Sequence, residues 1–197
     1  MKTMKFLLAV AVLILAACSS SKITSSWKAP DFSAKKYNKI LVLGLIHDKD
    51  RSICEQMESH LVGDLQDKGY QAVSAMKEYG PKAFEGLDEK GALEKIKENG
   101  ADAVLTIVLL NKEKETKYIP GQWNVSNRFW GYYGYRYRRI YEPGYYVTDT
   151  QYFWETNFYD LGNQDLLYSA QTKSFSPSST EALGHEYGRL IVKNFDK

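Results

Sequence analysis

Ile40-Leu41-Val42-Leu43-Gly44-Leu45-Ile46 is apolar at every position around its one glycine. A strand lets successive side chains point to opposite faces, so a run apolar on both faces belongs to a sheet covered by helices on both sides. Tyr37 to Ile46 is therefore read as the first core strand. Ala103-Val104-Leu105-Thr106-Ile107-Val108-Leu109-Leu110 repeats the pattern and predicts a second doubly buried strand.

Between them, His47-Asp48-Lys49-Asp50 makes a turn, and Ser52 with Glu55 forms a capping box for a helix running to about Lys68. Ile53, Met57, Leu61 and Leu65 recur every four residues and line one face of that helix. Gly69 stops it, and Tyr70 to Ala75 reads as a short strand. Lys77 to Gly86, with Gly80-Pro81, is a loop. Asp88 caps a second helix ending at Gly100, with Leu87, Leu93 and Ile96 as its apolar positions. These segments form a βαβαβ unit with parallel crossovers, right-handed by the usual rule. Asn111 to Lys117 turns polar and is expected to carry the last strand beyond the core.

Gln151 to Tyr159 and Leu166 to Phe175 flank Asp160-Leu161-Gly162-Asn163-Gln164-Asp165 as a hairpin with a longer loop. Tyr152, Trp154, Thr156 and Phe158 share one face of the first of these strands, the core side. Ser178 and Glu181 form a capping box for a last helix lined by Leu183, Tyr187, Leu190 and Ile191. The fold class is α/β of the mixed-sheet kind: a βαβαβ unit, an insertion, then a β-hairpin and a C-terminal helix packed on one sheet.

The start of the chain gives an address. Lys2 and Lys5 precede an unbroken apolar run from Phe6 to Leu15, and Leu15-Ala16-Ala17-Cys18 follows. The run matches the h-region of a signal peptide and falls short of the ~20 residues a membrane span requires. The pattern resembles the lipobox of bacterial lipoproteins, which implies cleavage before Cys18, acylation of its thiol and attachment to a membrane. Several acyl chains, at ~0.8 kcal/mol per buried methylene, hold a protein to a bilayer far longer than one. Ser19, Ser20, Ser21 and Lys22 bring no acidic charge after the cysteine. By resemblance to lipoprotein sorting rules, this implies the outer membrane and its periplasmic side.

The expected organisation is a leader over 1–17, an anchor and serine-rich tether over 18–36, and one domain over 37–197 with an insertion at about 117–147. Trp27, within the tether, is expected to pack onto the domain. The formal charge of +2 comes from Lys2 and Lys5, so the remainder balances. It offers no global field for nucleic acid. With Cys18 acylated, Cys54 has no partner for an internal disulfide and is expected to be a small buried hydrophobe.

Ser26-Trp27-Lys28-Ala29-Pro30-Asp31-Phe32, followed by Lys39-Ile40-Leu41-Val42-Leu43-Gly44-Leu45, resembles the opening of uncharacterised bacterial envelope lipoproteins. Asn99-Gly100-Ala101-Asp102-Ala103-Val104-Leu105, Asn157-Phe158-Tyr159-Asp160-Leu161 and Leu167-Tyr168-Ser169-Ala170 are similar to their later blocks. More distantly, the arrangement is similar to the periplasmic α/β domain of curli-secretion lipoproteins. The resemblance covers most of the chain after the leader outside Lys112 to Thr150, and it implies a fold more than a task.

Between Tyr118 and Tyr146 lie eleven aromatics, interleaved with Arg128, Arg136, Arg138 and Arg139, and no acidic residue occurs before Glu142. Tyrosine, tryptophan and arginine combine large contact area with polar handles and are enriched at binding hot spots and membrane interfaces. Trp123, Phe129, Trp130, Tyr132, Tyr133, Tyr135, Arg136, Tyr137, Arg138 and Arg139 are the candidate binding residues. Glycan, lipid headgroup or another envelope protein are the candidate partners. The competing reading is a long loop whose tyrosines fold back on their own domain.

No catalytic, cofactor or metal motif is visible. His47, His60 and His185 lack paired metal-ligand spacing, Gly44 stands alone where a phosphate-cradling loop would need several glycines, and no nucleophile motif occurs. The sequence thus points to a non-enzymatic, periplasm-facing envelope lipoprotein. Two alternatives stay open: an envelope hydrolase with a site near His47 and Asp50, where α/β folds often bind ligands, and a subunit of an oligomeric secretion complex, with homo-oligomerisation one form of it.

Overall fold

The computed structural model describes residues 20–82, 84–119 and 145–195. In chain order its elements are β1 (Ser21–Lys28), β2 (Ile40–Leu45), α1 (Arg51–Asp67), β3 (Ala72–Ser74), α2 (Ala75–Tyr79), α3 (Glu89–Glu98), β4 (Ala103–Ile119), β5 (Tyr145–Asp160), β6 (Leu166–Phe175) and α4 (Thr180–Phe195), with 3-10 turns at Ala34–Lys36 and Asp48–Asp50. The strands form one mixed sheet in the order β1-β6-β5-β4-β2-β3. β2 pairs in parallel with β3 and β4, as the two crossovers require, and the remaining pairs are antiparallel.

Alternation decides which face each strand residue serves. Ile40, Val42, Ala103, Leu105, Ile107, Trp154, Phe158, Tyr168 and Ala170 point to one face and meet Met57, Leu61 and Leu65 of α1 and Leu183, Tyr187 and Ile191 of α4. Trp154, Phe158, Tyr168 and Tyr187 are the largest side chains buried there. Phe32 adds a ring between Phe158, Tyr168 and Phe195 at centroid distances of 5.3, 5.7 and 5.5 Å. On the other face Leu41 and Val104 pack with Ala75 and Ile96, from α2 and α3. The helices on this side cover only part of the sheet, so Leu45 and Trp27 each leave about half their surface in solvent, 52% and 51%.

The helical crossing on the first face is tight. A Cβ on Gly184 would meet the Gln56 carbonyl oxygen at 3.0 Å and His60 Cδ2 at 2.9 Å, and one on Gly188 would collide with the Asp64 carboxylate. Glycine four residues apart on α4 lets its backbone lie against α1.

Several expectations need correction. The segment read as a tether over 18–36 contains β1, which pairs with β6 from Ser21↔Ser174 to Lys28↔Tyr168. β1 lacks an apolar run because it is an edge strand with mostly exposed side chains, and Trp27 on it stays half in solvent rather than packing on the domain. Asp50, not Ser52, stands at the N-cap of α1, and neither makes a side-chain capping bond. Ser179 caps α4 instead of Ser178, accepting from Ala182 N at 3.0 Å. The expected strand over Tyr70 to Ala75 shortens to Ala72–Ser74, because Ser74 caps α2 and accepts from Lys77 N. Leu87, expected on the apolar face of its helix, is 43% exposed. Asp88 does cap α3, accepting from Gly91 N at 2.8 Å.

Candidate functional site

β4 and β5 stay paired over their whole length, from Ala103↔Asp160 out to Ile119↔Tyr145. The body of the sheet ends well before that. A bulge between Leu109 and Asn111 marks the exit, and Asn111 to Lys117 are all exposed. Beyond Gln151, which pairs with Phe175 at the end of β6, the two strands have only each other as neighbours in the sheet among the described residues. The result is a two-stranded ribbon projecting from the sheet, as the polar turn of sequence at Asn111 predicts.

Polar side chains brace the ribbon. Lys112 Nζ lies 2.8 Å from Asp50 Oδ1 and 5.4 Å from the centroid of the Tyr152 ring. The hydrogen bond to Asp50 raises the lysine above its usual range. Farther out, Lys117 Nζ reaches Asp149 Oδ2 at 3.1 Å and Glu115 Oε2 at 3.2 Å, and it sits 5.6 Å from the Phe175 ring centroid. Bonds from Lys117 and Ser176 hold Asp149 below the usual carboxylate range. Thr116 and Thr148 hydroxyls meet across the strands at 3.2 Å. Tyr145, Tyr146 and Val147 are exposed by 61%, 72% and 37%.

The ten candidate binding residues, Trp123, Phe129, Trp130, Tyr132, Tyr133, Tyr135, Arg136, Tyr137, Arg138 and Arg139, fall between the two ends of the ribbon and lie outside the described residues, as does Cys18. What the structure adds is the pair of strands that flank them in the chain, ending at Ile119 and beginning again at Tyr145.

The alternative site near His47 lies at the end of β2, on the 3-10 turn over Asp48–Asp50. His47 is exposed and accepts from Lys49 N at 3.3 Å, and Asp50 is taken up by Lys112. Among the described residues no group of three His, Cys, Asp or Glu is arranged to hold a metal ion.

Three groupings escape the sequence reading. Glu58 is buried at the carboxyl end of β2, where it accepts from Gly44 N (2.7 Å), Met76 N (2.9 Å) and Ser74 Oγ (2.5 Å), tying α1 to β2, β3 and α2. Cys54 lies beside it. Burial first, and then the Glu58 carboxylate, push the Cys54 thiol up to about 12, so it is an inert thiol. Nothing local in the sequence marks Glu58, whose neighbour Met57 carries the apolar stripe.

His60 and His185 come together across the α1–α4 crossing with ring centroids 5.7 Å apart, near Asp64. Burial raises the Asp64 carboxyl, against the opposing pull of His185, His60 and Arg189. The Gly184 and Gly188 spacing was the one available signal of this close crossing.

At the far end of the sheet from the ribbon, a polar cavity of about 430 Å³ is lined by Asp31, Lys36, Tyr37, Asp160, Asn163 and Asp165 among others. Tyr37 donates to Asp160 Oδ2 at 2.9 Å. Partial burial pushes Asp160 up, but the Gly162 and Asn163 amides and the Tyr37 hydroxyl outweigh it and leave the carboxyl below its usual range.

No protein-family model and no curated protein sequence matches the chain. Among solved structures, it is similar to PelC from Paraburkholderia phytofirmans, solved as a dodecamer, at 13% identity and a TM-score of 0.48, covering 89% of this chain and 96% of that one. It is similar to lipoprotein GNA1162 from Neisseria meningitidis at 16% identity and a TM-score of 0.43, covering 80% and 97%. A minor lipoprotein from Acinetobacter baumannii gives 10% identity and a TM-score of 0.31, covering 81% and 95%. Two of these three neighbours are bacterial lipoproteins.

Proposed function

We propose that the protein is an acyl-anchored component of the bacterial envelope, facing the periplasm from the outer membrane, that works by binding and not by catalysis. The ribbon is the observation that carries this reading. Its outer part buries little and adds little to the core, yet it keeps strand pairing as far as Ile119↔Tyr145. Pairing maintained where no core among the described residues rewards it supports reading the ribbon as a platform, since an isolated two-stranded hairpin is marginal in water. In sequence, the chain between its two strands is the aromatic and arginine-rich stretch, whose residue types suit recognition of a glycan, a lipid headgroup or an envelope protein.

The leader supports the address: a positive start, an apolar run too short to span, and Leu15-Ala16-Ala17-Cys18. No helix among the described residues is long and apolar enough to cross a membrane, which says nothing of strands that cross as a barrel.

Deleting Lys117 to Gly144 from the acylated protein and comparing co-purified partners, glycan binding and lipid binding with those of the intact chain tests the reading. Loss of a retained partner or polymer is expected; unchanged binding removes the ribbon from the account.

A further inference from the structure

The point where the chain enters the body and the base of the ribbon lie at the same end of the sheet. β1 begins where β6 ends, at Ser21↔Ser174, and Phe175 is opposite Gln151 on β5. Ser20, one residue earlier, is fixed to the body. Its backbone N–H and hydroxyl donate to Glu186 Oε2 at 2.9 and 2.7 Å, and its carbonyl accepts from Phe175 N at 2.9 Å. Cys18 is two residues before Ser20. Two residues of extended chain reach at most ~7 Å, so the residue read as the acyl anchor stays close to this end of the sheet.

From the same level β5 runs outward from Gln151 to Tyr145, with β4 paired beside it. Six steps at ~3.4 Å carry the ribbon ~20 Å past the strand ends. Acyl chains inserted from Cys18 would bring the headgroup layer to that level. A ribbon of that reach, starting at the same end, is longer than the gap the short anchor leaves. Its exposed side chains suit the destination: Tyr145, Tyr146 and Val147, with Phe175 at its root exposed by 41%. Tyrosine rings settle at the headgroup level because one end is apolar and the other wet. Lys117, lying over the Phe175 ring, is long enough to keep its ammonium in water while its stem covers apolar surface.

We propose that the outer end of the β4–β5 ribbon rests in the headgroup layer of the leaflet that holds the acyl chains of Cys18. The body is then held at two places, and the turn over 160–165 with its polar cavity faces away from the membrane. The proposal rests on the acyl-anchor reading of Cys18 and goes beyond it by choosing a lipid surface as the ribbon's partner.

The test uses the full-length acylated protein in vesicles of phosphatidylethanolamine and phosphatidylglycerol. A nitroxide is placed on Y145C, on V147C as a second ribbon position, and on N163C at the opposite end. Cys54, buried and protonated, remains unlabelled. Collision with a water-soluble nickel chelate is expected to fall several-fold at both ribbon positions relative to N163C, while collision with oxygen rises there. Equal chelate access at all three overturns the proposal. So does protection of the ribbon labels that persists in a C18S protein without vesicles, because a second copy would then be the cover. The mass of the purified protein is read in parallel: acyl mass with a water-exposed ribbon sinks this proposal alone, and a missing acyl group sinks the anchor reading with it.

Discussion

β5 obeys two regimes along one strand. From Gln151 to Phe158 its residues alternate between partly buried and buried, and Tyr152, Trp154, Thr156 and Phe158 fill the core; from Tyr145 to Thr148 every residue is exposed. β4 divides at the same level, at the bulge between Leu109 and Asn111. Backbone pairing is common to both halves, so pairing alone does not make a core. In the body, strand geometry serves burial, which is what stabilises the molecule. In the ribbon, it holds side chains out where they stabilise little and can meet something else.

The sharpest way to break that comparison is a pair of truncations on the one strand. Trp154→Ala, within the body, is expected to lower unfolding stability by ~3–5 kcal/mol, the usual cost of emptying a large aromatic site. Tyr146→Ala on the ribbon is expected to stay within ~0.5 kcal/mol, as surface changes do. Urea unfolding of the two variants reads both, and equal losses would mean that the ribbon belongs to the core.

Nearly as large is the effect expected at Glu58. Glu58→Ala leaves the Gly44 and Met76 amides and the Ser74 hydroxyl without their acceptor, and ~3–4 kcal/mol should be lost. A variant as stable as the parent would show that water replaces the carboxylate.

Glycines on the two helices give a smaller contrast. Gly184→Ala would press its Cβ to 3.0 Å from the Gln56 carbonyl oxygen and 2.9 Å from His60 Cδ2, so ~1–3 kcal/mol should be lost. Gly63→Ala, whose new Cβ meets nothing, should gain up to ~1 kcal/mol by helix propensity. Thermal melts decide between them.

The smallest effects are in pH dependence, and their signs oppose. Asp160 has a lowered folded pKa, so it adds stability above the usual aspartate range and loses it as pH falls through the lower, folded value. Asp64 has a raised folded pKa, so its charged form weakens the fold at neutral pH. That penalty eases as pH falls through the raised value toward the unfolded one. Asp160→Asn should therefore flatten the acid loss of stability, and Asp64→Asn should steepen it. Unfolding midpoints measured from neutral to acidic pH test both signs.

How much of this was legible depended on whether a residue's role was local. Ile40 to Val42 and Ala103 to Ile107 declare buried strands because burial on both faces requires an apolar side chain at nearly every position, whereas Leu45 and Leu110, equally apolar, lie past the cover and are half exposed. The parity of Tyr152, Trp154, Thr156 and Phe158 names the core face for the same reason. β1 was missed because an edge strand of Ser, Thr and Lys meets its needs through the backbone of β6 and leaves no apolar trace. Asp50 displaced Ser52 because the chain makes a 3-10 turn over Asp48–Asp50 before the helix starts. Glu58, on a helix that reads as amphipathic, looks like a solvated charge until β2 and β3 bring amides to it.

The sequence by itself determined the mixed α/β architecture, the core face of the hairpin, the polar exit of β4 and the signal for an acyl anchor. Each is written in a period or a short motif that neighbouring residues satisfy alone. Only the tertiary structure decided that Ser20 is pinned beside the base of the ribbon, that Glu58 is a buried hub, and that His60 meets His185. Those depend on segments distant in the chain, which meet only when the sheet order and the close α1–α4 crossing have been set by packing.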